Sequence, residues 1–147
     1  MKTFLFATAT LLGLVVPMAV VGLTAGDARA ARAMAYDIKF NDTFVQAKSD
    51  SLAAGDRIVM SDSLWREGSP AGRIERVCTI TGAEGFAICN ASLMLGDGTI
   101  AIQFVNSPPP TKEFAVVGGT GAYAGLLGSG TVVEHGDETG TLTLTLG

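Results

Sequence analysis

The chain has 147 residues, 14 of them acidic against 10 basic, with a formal net charge of −4. Its basic residues are scattered rather than clustered, which excludes the positive stripe of a nucleic-acid surface. No long linker, charge run or repeat divides the sequence, so the part that follows an N-terminal leader is expected to be one domain with a single core.

Residues Met1 to Ala30 read as a secretory signal: Lys2, an apolar run from Phe4 to Leu23, and the small-x-small stop Ala28-Arg29-Ala30. The run is also close to the ~20 residues that span a bilayer, so membrane attachment follows if the signal stays uncleaved. Pro17 and the alanine-rich exit favour cleavage, and Ala31-Arg32-Ala33 offers a second cut a few residues on. The mature domain, residues 31–147, is therefore expected to be secreted or extracytoplasmic, where its two cysteines, Cys78 and Cys89, can be oxidised.

Period-two alternation dominates the mature chain, and no window after the leader shows a helical period. The clearest case is the C-terminus, where Leu142, Leu144 and Leu146 alternate with Thr141, Thr143 and Thr145. Turn residues divide the sequence into eight predicted strands: Tyr36–Gln46, Arg57–Arg66, Gly72–Thr81, Gly85–Leu95, Thr99–Asn106, Glu113–Gly118, Leu126–His135 and Glu138–Leu146. Short connections at Glu67–Pro70, Gly82–Glu84, Gly96-Asp97-Gly98 and Gly136-Asp137 predict successive antiparallel hairpins. A meander of this length loses its exposed edges by closing, so the expected fold is all-β, an eight-stranded antiparallel up-and-down barrel, with an open β-sandwich as the alternative. Ser107-Pro108-Pro109-Pro110-Thr111 is a stiff loop, because proline cannot donate to a sheet.

Parity indicates which side chains face inward. Even positions are apolar on the third strand (Ile74, Cys78, Ile80), the second (Ile58, Met60, Leu64) and the fifth (Ile100, Ile102, Phe104). Asp62 and Arg76 are the charged exceptions on that inner face. A third hairpin centred between Ala83 and Glu84 pairs positions summing to 167: Ile80 with Ala87, Ile74 with Leu93, and Cys78 with Cys89, close enough for a disulfide. A Glu67-centred turn with positions summing to 138 sets Asp62 opposite Arg76. Opposite charges in an apolar interior must meet each other or a ligand, and Arg76 is expected to lower the pKa of Asp62.

Other constellations point to structure rather than chemistry. The run Phe114 to Gly130 contains Gly119-Thr120-Gly121-Ala122-Tyr123-Ala124, which fits a dinucleotide fingerprint after a strand. That motif needs a helix next, and Gly125, Gly128 and Gly130 oppose one at about 1 kcal/mol each. A strand–turn–strand corner is expected instead. His135 lies beside Glu134, Asp137 and Glu138 at a predicted turn, where a solvated acidic tip is the expected arrangement and no metal is called for. The sequence has no G-x-S-x-G elbow. Tyr36, Tyr123 and Trp65 read as core or pocket lining. Asn41-Asp42-Thr43 and Asn90-Ala91-Ser92 match the glycosylation sequon.

Three ordered segments carry a family resemblance. Gly55-Asp56-Arg57-Ile58-Val59-Met60-Ser61-Asp62-Ser63-Leu64-Trp65 is similar to the G-D-x-x-x-F-x-N-x-L-Y strand of allene oxide cyclases, or to the dirigent form with aspartate before the leucine. Phe86 through Gln103, with Leu95-Gly96-Asp97-Gly98-Thr99-Ile100 at its turn, resembles the next hairpin. Phe114-Ala115-Val116-Val117-Gly118-Gly119-Thr120-Gly121-Ala122-Tyr123 resembles the signature L-A-V-T-G-G-S/T-G-x-F. From about Tyr36 onward the chain thus resembles the allene oxide cyclase and dirigent barrel superfamily. The resemblance implies a barrel with an apolar cavity, often trimeric, and an activity without cofactor: cyclising an unstable epoxide, steering radical coupling, or cyclising polyketide products. It places Asp62 where the cyclases have a pocket asparagine and Cys78 where they have a pocket cysteine. Asp37 and Lys39 stand where they have a first-strand glutamate and asparagine.

The sequence therefore predicts a secreted, cofactor-free barrel that binds a small apolar molecule and guides its cyclisation or isomerisation, with Asp62, Arg76 and Cys78 as the catalytic candidates. The alternative is a non-catalytic lipocalin-like carrier or an extracytoplasmic structural protein.

Overall fold

The computed structural model describes residues 31–47, 51–82, 86–108 and 110–147. The predicted signal, residues 1–30, and the predicted hairpin tip at residues 83–85 lie outside the described residues. Eight strands follow one another: β1 Arg32–Gln46, β2 Arg57–Arg66, β3 Ser69–Ile80, β4 Ala87–Leu95, β5 Gly98–Asn106, β6 Thr111–Gly119, β7 Gly128–Glu134 and β8 Thr139–Leu146. Each pairs antiparallel with the next, and β8 pairs with β1, so the sheet is a closed barrel. The expected up-and-down barrel is the observed fold, and the sandwich alternative is excluded by the β1–β8 ladder.

Alternation explains the interior. On β8 the leucines Leu142, Leu144 and Leu146 are buried, while Thr143 and Thr145 face out. β4 and β5 repeat the pattern with Ala87, Cys89, Ala91 and Leu93 against Ile100, Ile102 and Phe104. A single core fills the barrel, because the period of two sends every second side chain to the same face.

β1 begins at Arg32 rather than Tyr36. Its first residues carry no strong strand signal, but they pair with the end of β8, Arg32 with Leu146 through Ala35 with Thr143. Closure of the barrel makes them a strand. β7 begins at Gly128 rather than Leu126, because Leu126 is buried in a turn where its N–H donates to the Tyr123 carbonyl at 3.2 Å.

The glycine-rich run closes one end of the barrel. A single 3-10 turn, Gly121–Tyr123, separates β6 from β7, so the expectation of no longer helix holds. The turn folds onto the β4–β5 hairpin, where Ala122 N–H donates to the Asp97 carbonyl at 2.9 Å and the Tyr123 hydroxyl to Asp97 Oδ1 at 2.7 Å. Burial, reinforced by the neighbouring Asp97, pushes the Tyr123 phenol up to about 12. Gly121 lies at φ +60, and a Cβ there would stand 2.3 Å from the Asp97 carbonyl oxygen. The glycines thus permit close backbone approach, not phosphate binding.

Candidate functional site

The opposite end of the barrel is open. A cavity of about 360 Å³ lies there, lined by Phe40, Thr43, Met60, Asp62, Arg76, Cys78, Phe104, Asn106, Glu134, Gly136 and Glu138. Its volume falls at the small end of the ~300–1,000 Å³ typical of ligand pockets. Phe40, Met60 and Phe104 supply apolar walls, and Asp62 and Arg76 supply a charged patch.

Asp62 and Arg76 meet, but not as directly opposed residues. The structure pairs Met60 with Arg76 and Asp62 with Ile74, so the register sums to 136, not the expected 138. The cause lies in the turn. Glu67 and Gly68 form a two-residue connection with φ of 51 and 75, the left-handed pair that a tight hairpin requires. Arg66 and Ser69 therefore face each other, and an irregularity between Leu64 and Trp65 restores the inward parity beyond it. Arg76 reaches Asp62 along the diagonal, a span suited to a long side chain, and its Nη2 donates to Asp62 Oδ2 at 2.5 Å.

A second irregularity completes the carboxylate's surroundings. β1 shifts register between Phe40 and Asp42, which leaves the Asn41 N–H free of the ladder, and it donates to Asp62 Oδ1 at 3.1 Å. Past this bulge the inward parity changes. Thr43 lines the cavity while Phe44 is exposed, a reversal that alternation alone does not reveal.

Both charges are nearly sealed from water, Asp62 at 2% exposure and Arg76 at 9%. Burial is the largest influence on Asp62 and raises its pKa above the ordinary carboxylate value, outweighing Arg76 and the Asn41 N–H, which pull it down. The expected lowering by Arg76 is present but does not decide the direction. Arg76 also stands over the Phe40 ring, its Cζ 5.2 Å from the centroid. Its Nε is a buried donor with no acceptor among the described residues, an incomplete hydrogen-bond set of the kind that calls for an explanation.

Cys78 lines the cavity and is bonded to Cys89, the Cα atoms 4.0 Å apart. The two are directly opposed, as are Ile74 with Leu93 and Ile80 with Ala87, so the register summing to 167 is the observed one. The thiol that the cyclase resemblance implies is here half of a disulfide wall. Asp37 and Lys39 are exposed on the outer face and do not line the cavity. Gly55 and Asp56, the start of the family-like strand, are structural: Asp56 is buried, and its carboxylate accepts the Ala53 N–H at 2.8 Å.

Sequence reasoning passed over Glu134 and Glu138 as lining residues. Glu134 continues the even parity of buried Val132 on β7, a signal that was available. Glu138 could not be assigned this way, because it sits in the β7–β8 connection at φ 64. His135 is exposed, with Nδ1 3.3 Å from Thr139 Oγ1, and does not line the cavity. Tyr36 and Tyr123 are core residues, whereas Trp65 is 36% exposed. Among the described residues no group of three potential ligands could hold a metal, and no helix is long and apolar enough to cross a membrane.

No family model and no curated protein sequence matches the chain. Solved structures do resemble it. A pyocyanin demethylase superposes with a TM-score of 0.71 at 23% identity, over 79% of this chain and 100% of that one. A pterocarpan synthase dirigent protein gives 0.64 at 18% identity over 80% and 94%. An exo-specific intermolecular Diels-Alderase gives 0.62 at 13% identity over 80% and 98%. At these identities the shared property is the barrel.

Proposed function

We propose that this chain is a secreted barrel of the allene oxide cyclase and dirigent type, which binds a small apolar molecule in its open-end cavity and guides its cyclisation or isomerisation without a cofactor. The observation that carries this reading is the Asp62–Arg76 pair, buried at a cavity whose other walls include Phe40, Met60 and Phe104. Buried charges are costly to maintain, and their position beside an open volume suits a role in charge development. The names of two barrel neighbours, a dirigent protein and a Diels-Alderase, support chemistry of this class.

Catalysis would come first from shape. A cavity that holds a flexible molecule in a near-attack conformer gains by proximity. Arg76, which lines the cavity, is placed to stabilise negative charge that develops on a substrate oxygen. Asp62, with its raised pKa, would take up or return a proton within an isomerisation that is redox-neutral overall. Cys78 would shape the wall through its disulfide.

The carrier alternative draws on one specific observation: Asp62 and Arg76 already satisfy each other through a 2.5 Å hydrogen bond. Native mass spectrometry of the protein isolated from its own host should reveal a co-purifying small molecule. Incubating that molecule with the parent protein and with Asp62→Asn then separates the readings. Conversion by the parent that slows in the variant while affinity stays supports catalysis, and unchanged ligand with both proteins sinks it. Secretion belongs to the same proposal and predicts an extracellular protein whose mass begins at Ala31. Trimer formation, also implied by the resemblance, is read by light scattering.

A further inference from the structure

We propose that the cavity selects a neutral or cationic compound and rejects one carrying a carboxylate. This rests on the reading of the cavity as a small-molecule site. Three carboxylates line it, Asp62, Glu134 and Glu138, against one cation, Arg76. The cation is already engaged, since its Nη2 holds Asp62 at 2.5 Å. An entering carboxylate would have to share that guanidinium with Asp62 at close range, where like charges repel.

The mouth is more one-sided than the interior. Lys112 pairs with Glu134 at 3.2 Å, but the lysine side chain is 6% exposed and the glutamate 38%. The carboxylate is thus the member turned to solvent, with the ammonium behind it. Glu138 has no cationic partner among the described residues. Asp137, on the same connection, adds a further exposed carboxylate beside it. Lys39, the nearby cation on β1, faces outward and does not line the cavity. A cation entering here gains from these groups, and Phe104 adds an aromatic side chain to the wall. An anion meets the same field reversed.

Acridine, N-methylacridinium and acridine-9-carboxylate share one three-ring frame and differ in charge, so fluorescence titration with each isolates the electrostatic contribution. N-methylacridinium is expected to bind about tenfold more tightly than the carboxylate, with acridine between them. Raising the salt concentration should narrow that ratio, because the mouth is solvated. Glu138→Gln, an exposed change that keeps the side-chain shape, should narrow it as well. A carboxylate that binds as tightly as the cation overturns the inference, as does a ratio that Glu138→Gln leaves unchanged. If all three bind without ranking, only the selectivity is wrong. If none binds, the small-molecule reading of the cavity fails and this inference fails with it.

Discussion

Asp62 is held by two devices of different origin, the long side chain of Arg76 and a main-chain N–H released by the bulge at Asn41. Neither outweighs burial, so its folded-state pKa lies above the unfolded value of 3.8. The folded protein then binds the proton more readily than the unfolded chain. The stability this contributes is fully present below the unfolded pKa and is lost as pH rises through the folded one. Asp62→Asn, which resembles the protonated acid in shape and charge, should remove that slope. The expected outcome is a variant that melts at or above the parent near neutral pH, with the parent gaining on it as pH falls through the window above 3.8. Thermal melts across that window measure it, and a parent that instead loses ground on acidification contradicts a raised pKa. Arg76→Leu acts in the other direction, leaving the carboxylate buried without its partner at a cost of about 3–5 kcal/mol near neutral pH. That cost should shrink on acidification, because Asp62 escapes it by taking up a proton.

At the scale of the strands, glycine on β7 is a packing decision. Gly130 faces Phe114 across the β6–β7 ladder, and the Phe114 ring occupies the space a side chain would fill. A Cβ on Gly130 would stand 2.4 Å from the ring and 2.1 Å from the Thr143 carbonyl oxygen. The carbonyl belongs to the β8 backbone and cannot swing aside as a side chain does. Gly130→Ala is therefore expected to destabilise by about 1–3 kcal/mol, the range of overpacked cores, whereas Gly125→Ala is a control of a different kind. Gly125 has open space around it but φ of +73, so its cost is conformational and about 1 kcal/mol. Chemical denaturation of the two variants ranks them, and an unaffected Gly130→Ala would show that β7 can move away from β8.

For the molecule as a whole, closure is the property that matters most. β8 supplies partners to both β1 and β7, so its loss exposes two unpaired edges at once, each a template for aggregation. Truncation before Thr139 should convert a dispersed protein into aggregate, read by size-exclusion chromatography. A dispersed, folded seven-stranded product would mean that the remaining sheet can close without β8. Closure also assigns the two ends their tasks. The Gly121–Tyr123 turn and Leu126 seal one end, leaving the cavity and its charged pair at the other.

Alternation of apolar and polar residues was enough to reveal eight strands, the inward set on β2, β3 and β5, and the facing cysteines, because a period of two is a local property and short turns leave few ways to pair neighbours. The inward placement of Asp62 and Arg76 followed from the same parity, although not the distance between them. That distance depended on a left-handed Glu67-Gly68 turn and the strand irregularity beyond it. Thr43 and Glu138 became cavity residues through a bulge and a connection, where parity carries no information. The direction of the Asp62 pKa was likewise a tertiary outcome. A nearby arginine is visible in a sequence, but the depth of burial that outweighs it exists only once the barrel has closed.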